Sequence, residues 1–162
     1  MKEELKKSDV LKNEFSLQLE EKEFSELTTK ELYDFLQLRS EIFVVEQDCV
    51  YLDIDGKDQK AIHILGKIKE EIIAYARCFP PEIYFEEAAI GRVVVKNNFR
   101  GKKIAHQLMK KAIYTIENKY KTSKIKISAQ QHLTDFYTSH GFKTIGKPYL
   151  EDGIPHVEMI KK

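Results

Sequence analysis

Val93-Val94-Val95-Lys96-Asn97-Asn98-Phe99-Arg100-Gly101-Lys102-Lys103-Ile104-Ala105-His106-Gln107-Leu108-Met109 carries a strand into a helix through a basic turn. Upstream, Ile90-Gly91-Arg92-Val93-Val94-Val95 is largely β-branched and apolar, as a buried strand requires. Downstream, Ile104, Leu108, Met109, Ala112, Ile113 and Ile116 recur at helical spacing, which predicts a long amphipathic helix beginning close to Lys102. The first turn of a helix exposes unpaired N–H groups and about half a positive charge, so acidic residues are the ordinary choice there. This chain sets Arg100, Lys102 and Lys103 at that end, with Gly101 allowing backbone to approach a ligand closely. No Asp or Glu lies between Glu87 and Glu117, which leaves the local field to Arg92, Lys96, Arg100, Lys102, Lys103, Lys110 and Lys111. Strand, basic turn and helix together make an anion site suited to a polyphosphate, while Lys110 and Lys111 read as ordinary solvated surface.

The whole chain narrows what surrounds this site. Its 162 residues, 42% of them hydrophobic, suffice for one core and a single domain. The net charge of +1 gives no global basic excess, so no nucleic-acid partner is expected. Cys49 and Cys78 lack C-x-x-C spacing; they fit reduced thiols and offer no metal motif. Met1 to Lys12 mixes Lys with Glu and has no apolar core, and no apolar run reaches bilayer length, so a cytoplasmic protein without membrane contact is expected. Residues 1–14 read as a flexible tail before a domain over 15–162.

Within that domain, Phe15 to Glu20 alternates as a strand, and Thr28-Thr29-Lys30-Glu31 offers a capping box for a helix carrying Leu32, Phe35, Leu36 and Phe43. Strand-like runs follow at Ala61 to Ile68 and Glu71 to Cys78, then Pro80-Pro81 interrupts the chain before the strand at Ala89 to Val95. Beyond the long helix lie a strand at Lys124 to Ala129, a short helix at Leu133 to Thr138, and terminal strands at Phe142 to Tyr149 and His156 to Lys161. Hairpin runs interrupted by helices predict an α+β domain with a mixed sheet.

Among phosphate ligands, a nucleoside triphosphate is disfavoured, because none of the Gly-Lys pairs at 56, 66, 101 and 146 is followed by Ser or Thr. A dinucleotide is disfavoured because G-x-G-x-x-G is missing. The run from Val93 to Met109 resembles the acetyl-CoA motif of the GNAT acetyltransferases, whose turn reads Arg/Gln-x-x-Gly-x-Gly/Ala. Arg100 and Ala105 match its first and last positions, and Lys103 replaces its central Gly. We expect ordinary helical dihedrals at Lys103; a positive φ there would strain a lysine and weaken CoA binding. Leu133-Thr134-Asp135-Phe136-Tyr137-Thr138-Ser139-His140-Gly141-Phe142 resembles the family's Tyr-x-x-x-Gly-Phe ending. The blocks Leu38 to Gln47, Ser128-Ala129-Gln130 and Tyr149 to His156 resemble the ElaA subfamily in particular.

This resemblance implies a single-domain GNAT fold, with a mostly antiparallel sheet of about six to seven strands flanked by helices. It also implies transfer of acetyl from acetyl-CoA to a primary amine by direct attack in a ternary complex. Carried onto this chain, backbone at Val93, Val94 and Val95 would meet the pantetheine arm, and Arg100, Gly101, Lys102, Lys103, Ile104 and Ala105 the pyrophosphate. Tyr137 would reprotonate the departing thiolate, a role a neutral phenol can fill, unless it only packs the core. A base is valuable because a lysine-like amine is protonated at neutral pH. The candidates are Glu46, which follows the apolar Phe43-Val44-Val45 and could be partly buried; His63, inside an apolar strand; and His156, after Pro155. Glu46 could instead salt-bridge Arg39, and His63 could be a hydrogen-bonded core residue.

Asp48, Asp53, Asp55 and Asp58, with Glu151, Asp152 and Glu158, could attract a small-molecule or peptide amine; turn chemistry is the preferred reading of Asp55-Gly56 and Asp152-Gly153. Recognition of the amine by Glu46 and Glu151 is one hypothesis. The alternatives are a CoA-binding sensor or structural protein that transfers nothing, an RNA-binding surface, and transfer of a longer acyl group. A homodimer is left open.

Overall fold

The computed structural model describes residues 16–162; the expected tail over 1–14, and Phe15 of the first predicted strand, lie outside the described residues. Seven strands form one sheet: β1 (Leu17–Glu23), β2 (Ile62–Ile68), β3 (Glu71–Phe79), β4 (Ala88–Val95), β5 (Ile125–Gln130), β6 (Lys143–Glu151) and β7 (Ile154–Lys161). Their order is β1-β2-β3-β4-β5-β7-β6. Every neighbouring pair is antiparallel except β4 and β5. Parallel neighbours need a crossover, and the 17-residue helix α2 (Ile104–Tyr120) supplies it.

Two helices sandwich the sheet. Helix α1 (Thr29–Arg39) packs Phe35 and Leu38 against Leu65, Tyr75 and Val94 on one face. On the other face α2 places Leu108, Met109, Ala112 and Ile116 against Ile64, Ile73, Ile90 and Ile127. Covered on both sides, β2 and β3 bury nearly every residue, which is why they read as continuous apolar runs. The short helix α3 (Thr134–Thr138) closes the second core through Phe136 and Tyr137.

The expected capping box opens α1: the Glu31 N–H donates to Thr28 Oγ1 at 3.0 Å, and the Thr28 N–H to Glu31 Oε2 at 2.9 Å. The chain then continues into a π-helical turn over Ser40–Glu46, so Phe43 sits on that wider turn and not on α1. Helix α2 starts two residues later than the pattern suggested, at Ile104, because Lys103 is left-handed.

One irregularity shapes the molecule. Strands β4 and β5 pair only at Ala88 with Ile125 and Ala89 with Lys126. The β3–β4 register shifts between Tyr75 and Arg77, and opposite that shift Arg92 takes φ 51°. Such a bulge bends its strand, so β4 leaves β5 and the two facing edges bound an open cleft.

Candidate active site

The basic turn ends beside that cleft. Gly101 has φ 76°, a conformation that favours glycine, and a Cβ built there would meet nothing within 4 Å. Lys103 has φ 60° and ψ 18°, correcting the expectation of ordinary helical dihedrals. The backbone bonds that bracket the turn are Arg100 N–H to Asn97 O at 3.2 Å and Gln107 N–H to Lys103 O at 3.3 Å. Between them, the N–H groups of residues 101–106 donate to no backbone or side-chain acceptor among the described residues. That row of free donors at the start of α2 is a cradle for an anion.

Its side-chain field is smaller than the sequence suggested. Asp53 and Asp55 hold Arg92, Glu71 holds Lys96, and Glu21 holds Lys111 at 3.0 Å. Arg100 donates through Nη1 and Nη2 to both carboxylate oxygens of Glu46, and through Nε to Val95 O at 3.1 Å. Of the expected cations, Lys102, Lys103 and Lys110 form no ion pair among the described residues. Glu46 is exposed, which corrects the expected burial, and its partner is Arg100 in place of Arg39. Val93 and Val95 are half-buried on β4, and Val94 is buried under α1. Ile104 is buried at the start of α2, with Ala105 half-buried after it.

Tyr137 lies in the core, with Phe136 at 5.0 Å and Phe142 at 6.2 Å between ring centroids. Its hydroxyl makes no hydrogen bond among the described residues, yet Arg77 Nε is the one sealed, unpartnered side-chain polar atom there. Solvent therefore reaches the Tyr137 oxygen. Burial pushes its pKa up to about 12, so the group holds its proton at neutral pH. Neither cysteine is placed as a nucleophile. Cys78 is fully buried with its thiol pushed up by desolvation, and the Cys49 thiol donates to the Asp152 carbonyl at 3.3 Å.

The three candidate bases stand apart. His63 is fully buried under α1, stacked on Phe35 at 5.1 Å. Its Nε2 faces the Asp58 carbonyl at 2.9 Å and its Nδ1 faces the Tyr75 hydroxyl at 2.7 Å, so one neutral tautomer satisfies both. Desolvation lowers its pKa to about 4. This is the core-histidine arrangement, on β2, two strands from β4. Asp53, Asp55 and Asp58 are bound to Arg39, Arg77 and Arg92, with Arg39 Nε to Asp53 Oδ2 at 2.9 Å and Arg77 Nη2 to Asp55 Oδ2 at 2.8 Å. They pin the 53–58 loop to the sheet and are not free to attract an amine. Asp55 also makes the expected turn contact, accepting from the Lys57 N–H at 3.1 Å.

His156 belongs to a polar network on β5, β6 and β7. In β5 the residues Ile125, Ile127 and Ala129 enter the core, and Lys126, Ser128 and Gln130 face the other way. Ser128 Oγ hydrogen-bonds the Tyr149 hydroxyl and donates to Glu151 Oε2 at 3.2 Å. The same carboxylate oxygen faces His156 Nε2 at 3.2 Å. Gln130 donates to Gln47 at 3.1 Å and ties this face to the end of the π-helical turn. The hydroxyl of Ser128 was not singled out from the sequence. Its signal was the polar half of the β5 alternation, opposite the apolar half that marks the core.

The bent β4 and the free N–H cradle at the head of the crossover helix fit an extended anionic ligand. The acetyltransferase (GNAT) domain family matches residues 20–162, and the chain belongs to that family. Protein ElaA of Escherichia coli K12 is 44% identical over 140 residues, covering 85% of this chain and 92% of its own length. The crystal structure of Escherichia coli ElaA superimposes with a TM-score of 0.85 at 40% identity, covering 91% of this chain and all of that one (100%). An acyl-CoA N-acyltransferase from Pseudomonas aeruginosa gives a TM-score of 0.85 at 38% identity, again over 91% and 100% of the two chains. Among the described residues no helix is long and apolar enough to cross a membrane.

Proposed function

We propose that this chain is an N-acetyltransferase that moves the acetyl group of acetyl-CoA to a primary amine by direct attack within a ternary complex. The observation that carries this reading is the coincidence of the β4–β5 cleft with the N–H donors of residues 101–106, which have no protein acceptor among the described residues. The residues fit the cosubstrate. The 101–106 donors would hold its pyrophosphate, Lys102 and Lys103 would add charge, and the free edge of β4 at Val93 and Val95 would meet its amide-bearing arm. Acetyl-CoA supplies an activated thioester and a thiolate leaving group.

The protein's own part is positional and protonic. The cleft aligns the acyl group, and Tyr137, kept protonated by burial, delivers a proton toward the departing sulfur. Neither thiol is exposed and activated, so no acetyl-enzyme forms on cysteine. A CoA-binding sensor would use the same cradle, with the strain of a left-handed Lys103 in it, so turnover and not binding separates the two readings. The test is acetyl-CoA consumption with a panel of primary amines, each with product identified by mass. Acetylated amine and release of free CoA in equal amounts support transfer; tight CoA binding without product from any amine would favour the sensor.

A further inference from the structure

The reading above leaves open what meets the amine, and the network on β5, β6 and β7 bears on it. Pairing between β4 and β5 ends at Ala89 and Lys126, so Ser128, two residues along β5 and on the same face as Lys126, stands beside the open stretch. Glu151 reaches Ser128 across β7 and keeps 42% of its side chain exposed, whereas His156 keeps 10%.

Hydrogen-bond chemistry restricts the protons here. A carbonyl only accepts, so His156 Nδ1, at 2.7 Å from Ile154 O, must carry a hydrogen. The contact between His156 Nε2 and Glu151 Oε2 at 3.2 Å is then a hydrogen bond only when a further proton lies on that line. Without it, a nitrogen lone pair and a carboxylate face each other. The pair is thus built to take up one proton.

Of the neighbouring charges, Asp152 next to Glu151 forms no ion pair among the described residues, and the others are matched. Glu158 is held by Lys126 at 3.1 Å, Glu46 by Arg100, and the loop aspartates by arginines. From β6 the Tyr149 hydroxyl hydrogen-bonds Ser128, and Tyr84 lies within electrostatic reach of Tyr149. Within this network Glu151 has no permanent cation as partner, since His156 counts as one only when protonated.

We infer that Glu151 is the catalytic residue that receives the proton of the incoming amine, that His156 and Ser128 position it, and that the acceptor arrives as a cationic primary ammonium on the face formed by β5, β6 and β7. This rests on the acetyl-transfer reading. The ammonium gives one proton to the Glu151–His156 pair, and the freed nitrogen forms the N–C bond to the thioester carbonyl carbon. The C–S bond breaks and sulfur takes the Tyr137 hydroxyl proton. The second nitrogen proton restores the tyrosine, and the first passes from Glu151 to water, so each turnover releases one proton.

The test uses the full chain with acetyl-CoA, with 1,4-diaminobutane and Nα-acetyl-lysine amide as acceptors. kcat/KM is followed against pH in the wild type, Glu151→Gln, Glu151→Asp and His156→Gln, with CoA affinity measured calorimetrically in each. The rate should rise with pH as the pair loses its proton. Glu151→Gln should lower kcat/KM about 10²-fold and abolish that limb. CoA affinity should stay within about twofold, Glu151→Asp should recover part of the rate, and His156→Gln should move the limb. An unchanged limb and rate in Glu151→Gln would overturn the assignment. A wild type that binds CoA, acetylates neither amine and shows no amide shift at Ser128, Tyr149, Glu151 or His156 on adding 1,4-diaminobutane would overturn it while leaving the cofactor site standing. A wild type that binds no CoA would overturn the reading beneath it, and the assignment with it.

Discussion

Lys103 holds a left-handed conformation that costs a non-glycine residue about 1 to 2 kcal/mol, against about 0.5 to 1 kcal/mol for the extra chain entropy of glycine. Lys103→Gly should therefore stabilise the fold by up to about 1 kcal/mol in denaturant unfolding, and Lys103→Val should destabilise it, because a β-branched residue tolerates positive φ poorly. Both changes losing the same stability would mean the conformation is not held in solution. Arg100 is committed to Glu46 and Val95, so an incoming pyrophosphate competes with a carboxylate for it. Glu46→Gln should tighten CoA binding by a few fold, the size of an exposed ion pair, with the gain shrinking as salt rises. Weaker binding in that variant would show that Glu46 assists the cosubstrate. Tyr137→Phe should lower kcat by at least about tenfold at nearly constant CoA affinity, since it removes one proton donor. An unaltered kcat would reduce Tyr137 to packing.

At the scale of elements, α1 is fixed at its first turn by Glu31 and at its last by Arg39, and it packs over His63; acid acts on this region through Glu31 and His63. Glu31 is desolvated, but Lys22, Lys67 and the Thr28 N–H overcome this and hold its pKa at about 2. A carboxylate depressed in the fold contributes stability above its unfolded pKa near 4.3 and loses it as pH falls toward the folded value. His63 is displaced downward by desolvation to about 4, so the unfolded chain binds its proton first and stability falls between about 6.5 and 4. Unfolding free energy should thus decline in two stages, from about pH 6.5 and then steepening below about pH 4.5. Glu31→Gln should flatten the second stage alone, worth up to about 3 kcal/mol. A single stage, unchanged by that substitution, would contradict the assignment.

For the molecule as a whole, periodicity and capping chemistry carried most of the architecture. Apolar positions from Ile104 to Ile116 placed α2, Thr28 and Glu31 placed the start of α1, and the strands appeared within a few residues of their observed ends. The cradle was legible in Arg100-Gly101-Lys102-Lys103, because a strand, a glycine and a helix start imply free N–H groups whatever the side chains do. What stayed hidden depends on partners distant in sequence. Glu46 meets Arg100 and Asp53 meets Arg39 and Arg92 only after the sheet assembles. The departure of β4 from β5 after Ala89, and the bulge that follows at Arg92 with its positive φ, are foretold by no propensity. Ser128 and Glu151 become neighbours only through the β5–β7–β6 order.

The central claim is that the 101–106 turn and the free edge of β4 receive acetyl-CoA. Amide hydrogen exchange of the full chain, with and without saturating acetyl-CoA and with ATP as control, tests it most directly. The account predicts rapid exchange of the amides of residues 101–106 in the free protein, strong slowing of these and of residues 93–95 with acetyl-CoA, and little change with ATP. Slowing confined to other segments, or no slowing at saturation, would contradict it.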